Sequence, residues 1–300
     1  MDLVGIPVEE QWSAMLGVAQ RIEAAGYESL WVYDHFHTVP EPTQEPTYEC
    51  WTLMAAYATV TETIRLGQMC TCNSYRPPSY LAKVASSIDV ISGGRLEFAI
   101  GAGWYEHEYL AYGYPFPKPS VRIGQLAEAV KIIKAMWTED EARFAGKYYR
   151  VDGAINQPKP LQKPHPPLWI AGGGEKLTLR LAAEEADYTN WAGRVENFVR
   201  KGKILEAHCE AVGRDPAEIT RSLIVQMLVD PDEASIERAA GQIPSFRTEA
   251  MSTYGSAEKV IDRLGEYKEA GCEYFIVYFP DAVWGDSIER FAAEVIPAFR

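Results

Sequence analysis

The amino-acid sequence predicts a parallel α/β protein closed into a (β/α)8 barrel. Three observations lead there. Short apolar runs alternate with helix-patterned stretches along nearly the whole chain, the signature of parallel βα units. The units keep coming without the glycine fingerprint that opens a dinucleotide-binding sheet. The 300 residues suit one barrel of the usual size, about 250 residues before insertions. Two average domains would also fit that length. Barrel-type segments resume after the one break in the rhythm, so a single domain over residues 1–300 is expected.

Residues 9–25 read as an amphipathic helix, with Trp12, Met15, Leu16, Ala19 and Ile22 on one stripe. Gly26 ends it. A strand over 29–33 follows, with Asp34-His35-Phe36-His37 at its C-terminal end. Residues 48–61 read as a helix, 64–72 as a strand, 77–91 as a helix and 96–100 as a strand. A long helix covers 120–137. Residues 138–167 are an insertion: Phe144, Tyr148, Tyr149 and Val151 suggest a small hairpin, and Pro158, Pro160, Pro164, Pro166 and Pro167 a stiff loop. Strands at 168–171, 188–191, 221–229 and 274–279 then alternate with helices from Glu175, over 196–212, over 256–270 and over 287–296. Residues 230–254 are polar and irregular, with weak helical character at 234–240. They are expected to form a second insertion, a mobile segment over the active face.

Reactive groups of such a barrel stand at the C-terminal ends of its strands, and four ends are notable. At the first, Asp34 and His35 follow a strand. Asp is a common cap, whereas His35 can take or give a proton near neutral pH. At the second, Met69-Cys70-Thr71-Cys72 would place both thiols on one face of a strand. A Cys-x-Cys metal site would need a second pair at metal spacing, which the sequence lacks. At the third, Gly101-Ala102-Gly103 ends a strand almost without side chains, and Trp104, Tyr105, Glu106, His107 and Glu108 follow at once. Such a strand end lets a flat ligand lie on the backbone; alternatively the glycines only turn the chain into a helix. At the fourth, Gly172-Gly173-Gly174-Glu175 leads into a helix, where consecutive N–H groups form an anion site. Lys176 and Arg180 would add charge, and an ordinary turn is the rival reading. A metallohydrolase built on His35-x-His37 fails on ligand count, because His165 lies in the proline-rich loop and His208 inside a helix.

Composition sets outer bounds. Hydrophobic residues make up 47% of the chain, enough for a large core, and charged residues an ordinary 24%. A net charge of −13 argues against nucleic acid or an anionic membrane as the main partner. There is no signal-peptide pattern and no apolar stretch long enough to span a bilayer. Five cysteines without framework spacing fit reduced thiols in a cytoplasm.

The run S-G-G-R-x-E-x-x-I-G-A-G-W-Y-E-H-E, followed by A-Y-G-Y-P-F-P, resembles the luciferase-like monooxygenase superfamily, and within it the branch that uses the deazaflavin coenzyme F-420. A-G-Y-E-S-L-W-V-Y-D-H-F, I-R-L-G-Q-M, L-A-K-V-A-S-S-I-D-V-I, P-H-P-P-L-W-I-A-G-G-G-E-K and Y-F-I-V-Y-F-P match the same branch in order, over nearly the whole chain. The resemblance implies a TIM barrel of the bacterial-luciferase-like type, with insertions after strands 4 and 7. It implies His35 and His107 as catalytic candidates. Cofactor contacts are implied for Asp34, Met69, Cys70, Gly101, Ala102, Gly103, Trp104, Gly172, Gly173, Gly174 and Glu175, with a cis peptide at Met69-Cys70 and no metal. Many deazaflavin dehydrogenases carry a glutamate where Trp104 stands, so His107 is implied either as a proton donor in its stead or as a cofactor contact. The implied activity is hydride transfer between F-420 and a small organic substrate. The alternative is a monooxygenase using reduced FMN and oxygen, partnered by a flavin reductase. A homodimer with contacts in 48–91 is implied as well. The family opens on a full strand, and here only Leu3, Val4 and Ile6 remain of one. Either that strand is very short or the true start lies upstream of Met1, because a barrel short of a strand exposes two sheet edges.

Overall fold

Strands buried on both faces carry near-continuous apolar runs, and Leu96–Gly101 is the fullest case, with every residue buried. The computed structural model describes residue 3 and residues 5–230, 232–240 and 252–300. The chain begins with α1 (Val8–Ala24), β1 (Ser29–Val32), α2 (Cys50–Val60), β2 (Arg65–Gln68), β3 (Thr71–Cys72), α3 (Pro78–Ile91) and β4 (Leu96–Gly101). It continues through α4 (Glu106–Ala111), α5 (Pro119–Thr138), β5 (Ala142–Ala145), β6 (Arg150–Ala154), β7 (Leu168–Ala171), α6 (Thr178–Glu185), β8 (Tyr188–Asn190) and α7 (Val195–Val212). It ends with β9 (Thr220–Val229), α8 (Glu233–Ala240), β10 (Ser252–Gly255), α9 (Ala257–Glu269), β11 (Tyr274–Tyr278) and α10 (Ser287–Arg290).

Outside the antiparallel β5–β6 hairpin, the strand pairs are parallel. The order β1-β2-β4-β7-β8-β9 sets each barrel strand beside the next one in sequence, and β11 closes onto β9. Register pairs Gly101 with Ala171 and Ala171 with Asn190, so the C-terminal ends of β4, β7 and β8 form one rim. Inside, Trp31 meets Trp169 edge-on at 4.8 Å, and Trp169 stacks on Tyr188 at 4.2 Å. The barrel floor is therefore solid aromatic packing, and ligand space lies at the rim. Among the described residues β1 has a strand neighbour only in β2, and β11, which branches from the order at β9, only in β9.

The helices cover the outside. α3 buries Leu81, Ala82, Ala85 and Ile88, and α5 buries Leu126, Val130 and Ile133 against it. α7 ends at Gly213, whose φ of 71° is the left-handed C-cap geometry that glycine adopts without a Cβ clash. In the insertion after β4, the Glu128 carboxylate accepts the N–H groups of Lys147, Tyr148 and Tyr149 and so holds the turn of the hairpin. Asp89 does the same for Leu161 and Gln162 in the proline-rich loop.

The strand expected over 64–72 is divided at the Met69–Cys70 peptide, which is cis. The helix expected from Glu175 starts instead at Thr178, where the Gly174 carbonyl accepts from Leu179. The segment at 230–254 contains α8 and adds β10, parallel to the end of β9; residues 241–251, the centre of the expected mobile segment, lie outside the described residues. Of the apolar positions read as a possible first strand, Leu3 and Ile6 are not in a strand, and Val4 lies outside the described residues. Among the described residues, no helix is long and apolar enough to cross a membrane.

Candidate active site at the strand ends

Asp34 leaves β1 pointing inward and is 3% exposed. Arg76 grips both of its oxygens at 2.7 and 3.0 Å, the Cys72 N–H donates at 2.9 Å and the Cys50 thiol at 3.2 Å. The carboxylate expected against a cofactor is thus spent on the protein itself, tying the end of β1 to the end of β3. Asp34, Glu49 and Cys50 bring their ligand atoms within 4.8 Å of one another. The Arg76 guanidinium lies on Asp34 and Glu49, and supplies the positive charge there. Burial lowers the pKa of Arg76, but its bond to Asp34 and that charge win, and the net shift is upward. Replacing Arg76 with leucine would leave Asp34 buried and unpaired. The expected loss is about 3–5 kcal/mol of stability, read from urea unfolding.

The next residue, His35, turns into the rim. Its Nδ1 lies 2.8 Å from Glu108 Oε2. Glu108 belongs to α4 and is fully buried. Its Oε1 accepts from the Phe36 N–H at 2.6 Å, and its Oε2 also accepts from the Tyr75 hydroxyl at 2.7 Å. Burial pushes the Glu108 pKa up; the hydrogen bond and charge of His35, then Tyr75 and Phe36, outweigh it, and the group stays below the ordinary value of 4.5. An ionised carboxylate only accepts, so His35 carries its proton on Nδ1. Nε2 is the nitrogen left for chemistry. His35 lines a cleft of about 1200 Å³ that also takes in Met69, Trp104, Ile224 and Gln226.

His107 stands elsewhere. Its Nδ1 is 3.0 Å from His37 Nε2, and His37 Nδ1 is 3.1 Å from the Thr38 carbonyl. The carbonyl only accepts, so neutral His37 is protonated on Nδ1 and His107 donates to its Nε2. His107 is exposed and outside the cleft lining. Trp104, 59% exposed, stands at the cleft with its ring 5.9 Å from His35.

The glycines at the end of β4 have a reason within the chain itself. A Cβ on Gly101 would come within 2.7 Å of the Cys70 sulfur. One on Gly103, whose φ is +75°, would collide with the Tyr109 hydroxyl and lie 2.7 Å from the Cys72 sulfur. The missing side chains make room for the chain's own sulfurs and tyrosine. Gly103→Ala is expected to lose about 1–3 kcal/mol, read from thermal melting. Ala102 between them is half-buried against the core. Burial pushes the Cys70 thiol up to about 12 and the Cys72 thiol to about 11, so both stay protonated at neutral pH.

At the end of β7, Gly172 donates to the Asn190 carbonyl at 2.8 Å. The ammonium of Lys201, from the second turn of α7, lies against Gly173, where any Cβ would strike it. Burial and then the charge of Arg200 lower its pKa. Glu175 is held by Arg200, and its carbonyl is 2.7 Å from His208 Nε2. The sequence points to Lys176 and Arg180 for this place, and nothing in it points to Lys201. It marks Glu108 only as a neighbour of His107, and nothing in it points to Tyr75. Two buried polar atoms beside the Met69–Cys70 break, Gln68 Nε2 and Asn73 Oδ1, have no hydrogen-bond partner.

Over 94% of this chain and 93% of its own length, the F-420-dependent glucose-6-phosphate dehydrogenase of Amycolatopsis mediterranei is 25% identical. The FMNH(2)-dependent dimethylsulfone monooxygenase of Pseudomonas putida is 25% identical over 64% of this chain and 57% of its own. Among solved structures, an F-420-dependent secondary alcohol dehydrogenase holding an F-420–acetone adduct superposes with a TM-score of 0.82 at 27% identity, covering 97% of this chain and 96% of that one. A monooxygenase from Streptomyces bottropensis shares the fold, with a TM-score of 0.84 at 16% identity over 100% of this chain and 97% of that one. The profile of the luciferase-like monooxygenase family matches residues 4–242, most of the chain and all the strand ends described above, and the protein belongs to that family.

Proposed function

We propose that this protein is an oxidoreductase that moves a hydride between C5 of coenzyme F-420 and the alcohol–carbonyl carbon of a small organic substrate. The observation that carries the proposal is His35 at the cleft, its Nδ1 committed to buried Glu108. Bound F-420 would supply the hydride acceptor or donor. The residues present suit such a group: Gln68 Nε2 and Asn73 Oδ1 lack partners that ring carbonyl and N–H groups provide. The backbone of Gly172–Gly174 with the Lys201 ammonium suits a phosphate tail.

The rest of the chemistry belongs to the chain. In alcohol oxidation, His35 Nε2 takes the hydroxyl proton as the carbon–oxygen double bond forms and the carbon gives up its hydride. Glu108 stays ionised, keeps the Nδ1 proton in place and stabilises the imidazolium that results. In the reverse direction the imidazolium returns that proton to the carbonyl oxygen. Trp104 offers no proton to the reaction, and Glu108 is too deeply buried to touch substrate, so the proposal gives proton transfer to His35. His107 serves the outer rim through His37 rather than the reacting atoms. A homodimer, implied by the resemblance, is part of the same proposal, with exposed Tyr80 and Ile91 of α3 available to its interface.

The reading is supported by the F-420-dependent dehydrogenase, which matches over 94% of this chain where the FMNH(2)-dependent enzyme matches over 64%. Titrating the purified apoprotein with F-420 and with FMN tests the reading. Tight binding of F-420 with weak binding of FMN is expected. Preference for FMN would contradict it and turn attention to oxygen chemistry with a flavin reductase.

A further inference from the structure

The segment between His35 and α2 passes along the cleft without regular structure. Residues 38–46 contain no helix or strand, and from Pro40 to Pro46 they are exposed. Thr38, Val39, Pro40, Glu41 and Pro46 nonetheless line the same cleft as His35 and Trp104. A stretch this open has little packing to fix its course, so its shape depends on its polar contacts. Some of these are its own. The Thr38 hydroxyl donates to the Glu41 carbonyl at 2.7 Å and accepts the Thr43 N–H at 2.8 Å, and the Thr43 hydroxyl accepts the Glu45 N–H at 3.1 Å. These ties curl the segment on itself and leave its place against the barrel to be set from outside.

That place is set from the start of α4. The Tyr105 hydroxyl donates to the Pro40 carbonyl at 2.7 Å. Tyr105 is 9% exposed, and its ring lies edge-on to His37 at 5.4 Å and stacks on His107 at 6.0 Å. His107 donates to His37 Nε2 at 3.0 Å, and His37 donates at 3.1 Å to the carbonyl of Thr38, the first residue of the segment. Two lines of contact therefore run from residues 105–107 to the segment, one reaching Thr38 and one Pro40. One position further on, Glu108 turns inward to His35. The same short stretch thus holds the reactive histidine and the loop beside it. Tyr105, His37 and His107 stand outside the cleft lining, so what they do for a substrate they do through the loop.

We propose that Tyr105 and His107 are positioning residues for the substrate: through the Pro40 carbonyl and through His37 they fix residues 38–46 as a preformed wall of the cleft beside His35. The proposal rests on the reading that the substrate meets His35 in this cleft. A wall already in place costs no ordering when the substrate binds, whereas a loosened wall has to be ordered at that moment. The wall does not carry the reacting atoms, so its loosening weakens ground state and transition state alike. KM then rises while kcat stays.

Three variants test this. Tyr105→Phe keeps the ring and removes the hydroxyl. His107→Phe keeps a ring beside Tyr105 and removes the donor, and His107→Asn restores an N–H donor close to the place of Nδ1. Amide hydrogen exchange is first read without cofactor or substrate. Exchange of the Thr43 and Glu45 amides is expected to quicken about three- to tenfold in both phenylalanine variants, the worth of one hydrogen bond, with β4 as protected as in the parent. Steady-state kinetics then use F-420 with propan-2-ol or 1-phenylethanol, whichever the parent oxidises faster. KM for the alcohol is expected to rise about three- to tenfold in the phenylalanine variants, with kcat within about twofold of the parent's and F-420 affinity unchanged. His107→Asn should recover most of the KM. Equal exchange in parent and phenylalanine variants would overturn the proposal, as would faster exchange at unchanged KM. A fall in kcat at unchanged KM would move these residues into the chemistry and overturn it too. Lost protection of β4 would make their role one in the fold as a whole, with the same result. An asparagine variant no better than His107→Phe would remove His107 from the proposal. If the parent oxidises neither alcohol, the hydride-transfer reading fails separately, and exchange in residues 38–46 still decides whether Tyr105 and His107 hold the loop.

Discussion

His35→Asn is expected to lower turnover by on the order of 10²–10⁴-fold while leaving F-420 affinity nearly unchanged. Asparagine keeps a polar group at the end of β1 and can still bond Glu108, so the strand end and its Asp34–Arg76 clamp should survive. What it cannot do is take a hydroxyl proton near neutral pH. Steady-state kinetics over a pH series, paired with the cofactor titration, checks this. The parent's activity should follow an ionisation that the variant's residual activity lacks. A variant that retains most of its turnover would assign the proton transfer elsewhere, and His107 would be the next histidine to replace.

Glu108→Gln should have the second-largest effect, with a different signature. The amide has nearly the same shape, but it carries no charge and one of its ends donates. Either the Phe36 N–H, or both His35 Nδ1 and Tyr75 Oη, then face a donor instead of an acceptor. His35 loses its tautomer control and its counter-charge, and kcat should fall on the order of 10²-fold. Stability changes in a defined direction. The folded-state pKa of Glu108 is depressed, so its contribution is full above the unfolded value near 4.5 and is lost as pH falls through the lower folded value. The parent should therefore lose melting temperature on acidification below about 4.5. The glutamine variant should start lower at neutral pH and lose less across that same window. A variant with the parent's acid limb would mean that Glu108 is not ionised at neutral pH.

The elements were readable because barrel strands and helices announce themselves locally. Leu168–Ala171 sits between prolines and glycines and was bounded correctly, and the amphipathic stripe of residues 9–25 gave α1 to within a residue at each end. Met69–Cys70 was placed through family likeness rather than through any pattern of its own. The site was only half readable, because its decisive contacts are long-range. Nothing in the run E-H-E says that Glu108, and not Glu106, turns inward to meet His35, 73 positions away. The helix α4 decides it by burying one glutamate and exposing the other. Lys201 is invisible for the same reason: it reaches Gly173 from the helix of the next βα unit. The glycines carry a second reason that the sequence does not show. Gly101 and Gly103 suggest ligand space, and Cys70, Cys72 and Tyr109 also need that room. A missing Cβ shows that something approaches the backbone and does not show what.

One measurement reaches the centre of the account. The purified protein would be incubated with F-420 and a small secondary alcohol deuterated at its carbinol carbon, and the reduced coenzyme analysed for label. Direct hydride transfer with proton removal at His35 predicts deuterium at C5, on one face, without washout into water, and almost none in the same time with His35→Asn. Reduced coenzyme without the label, or label transferred equally by the asparagine variant, would contradict the account.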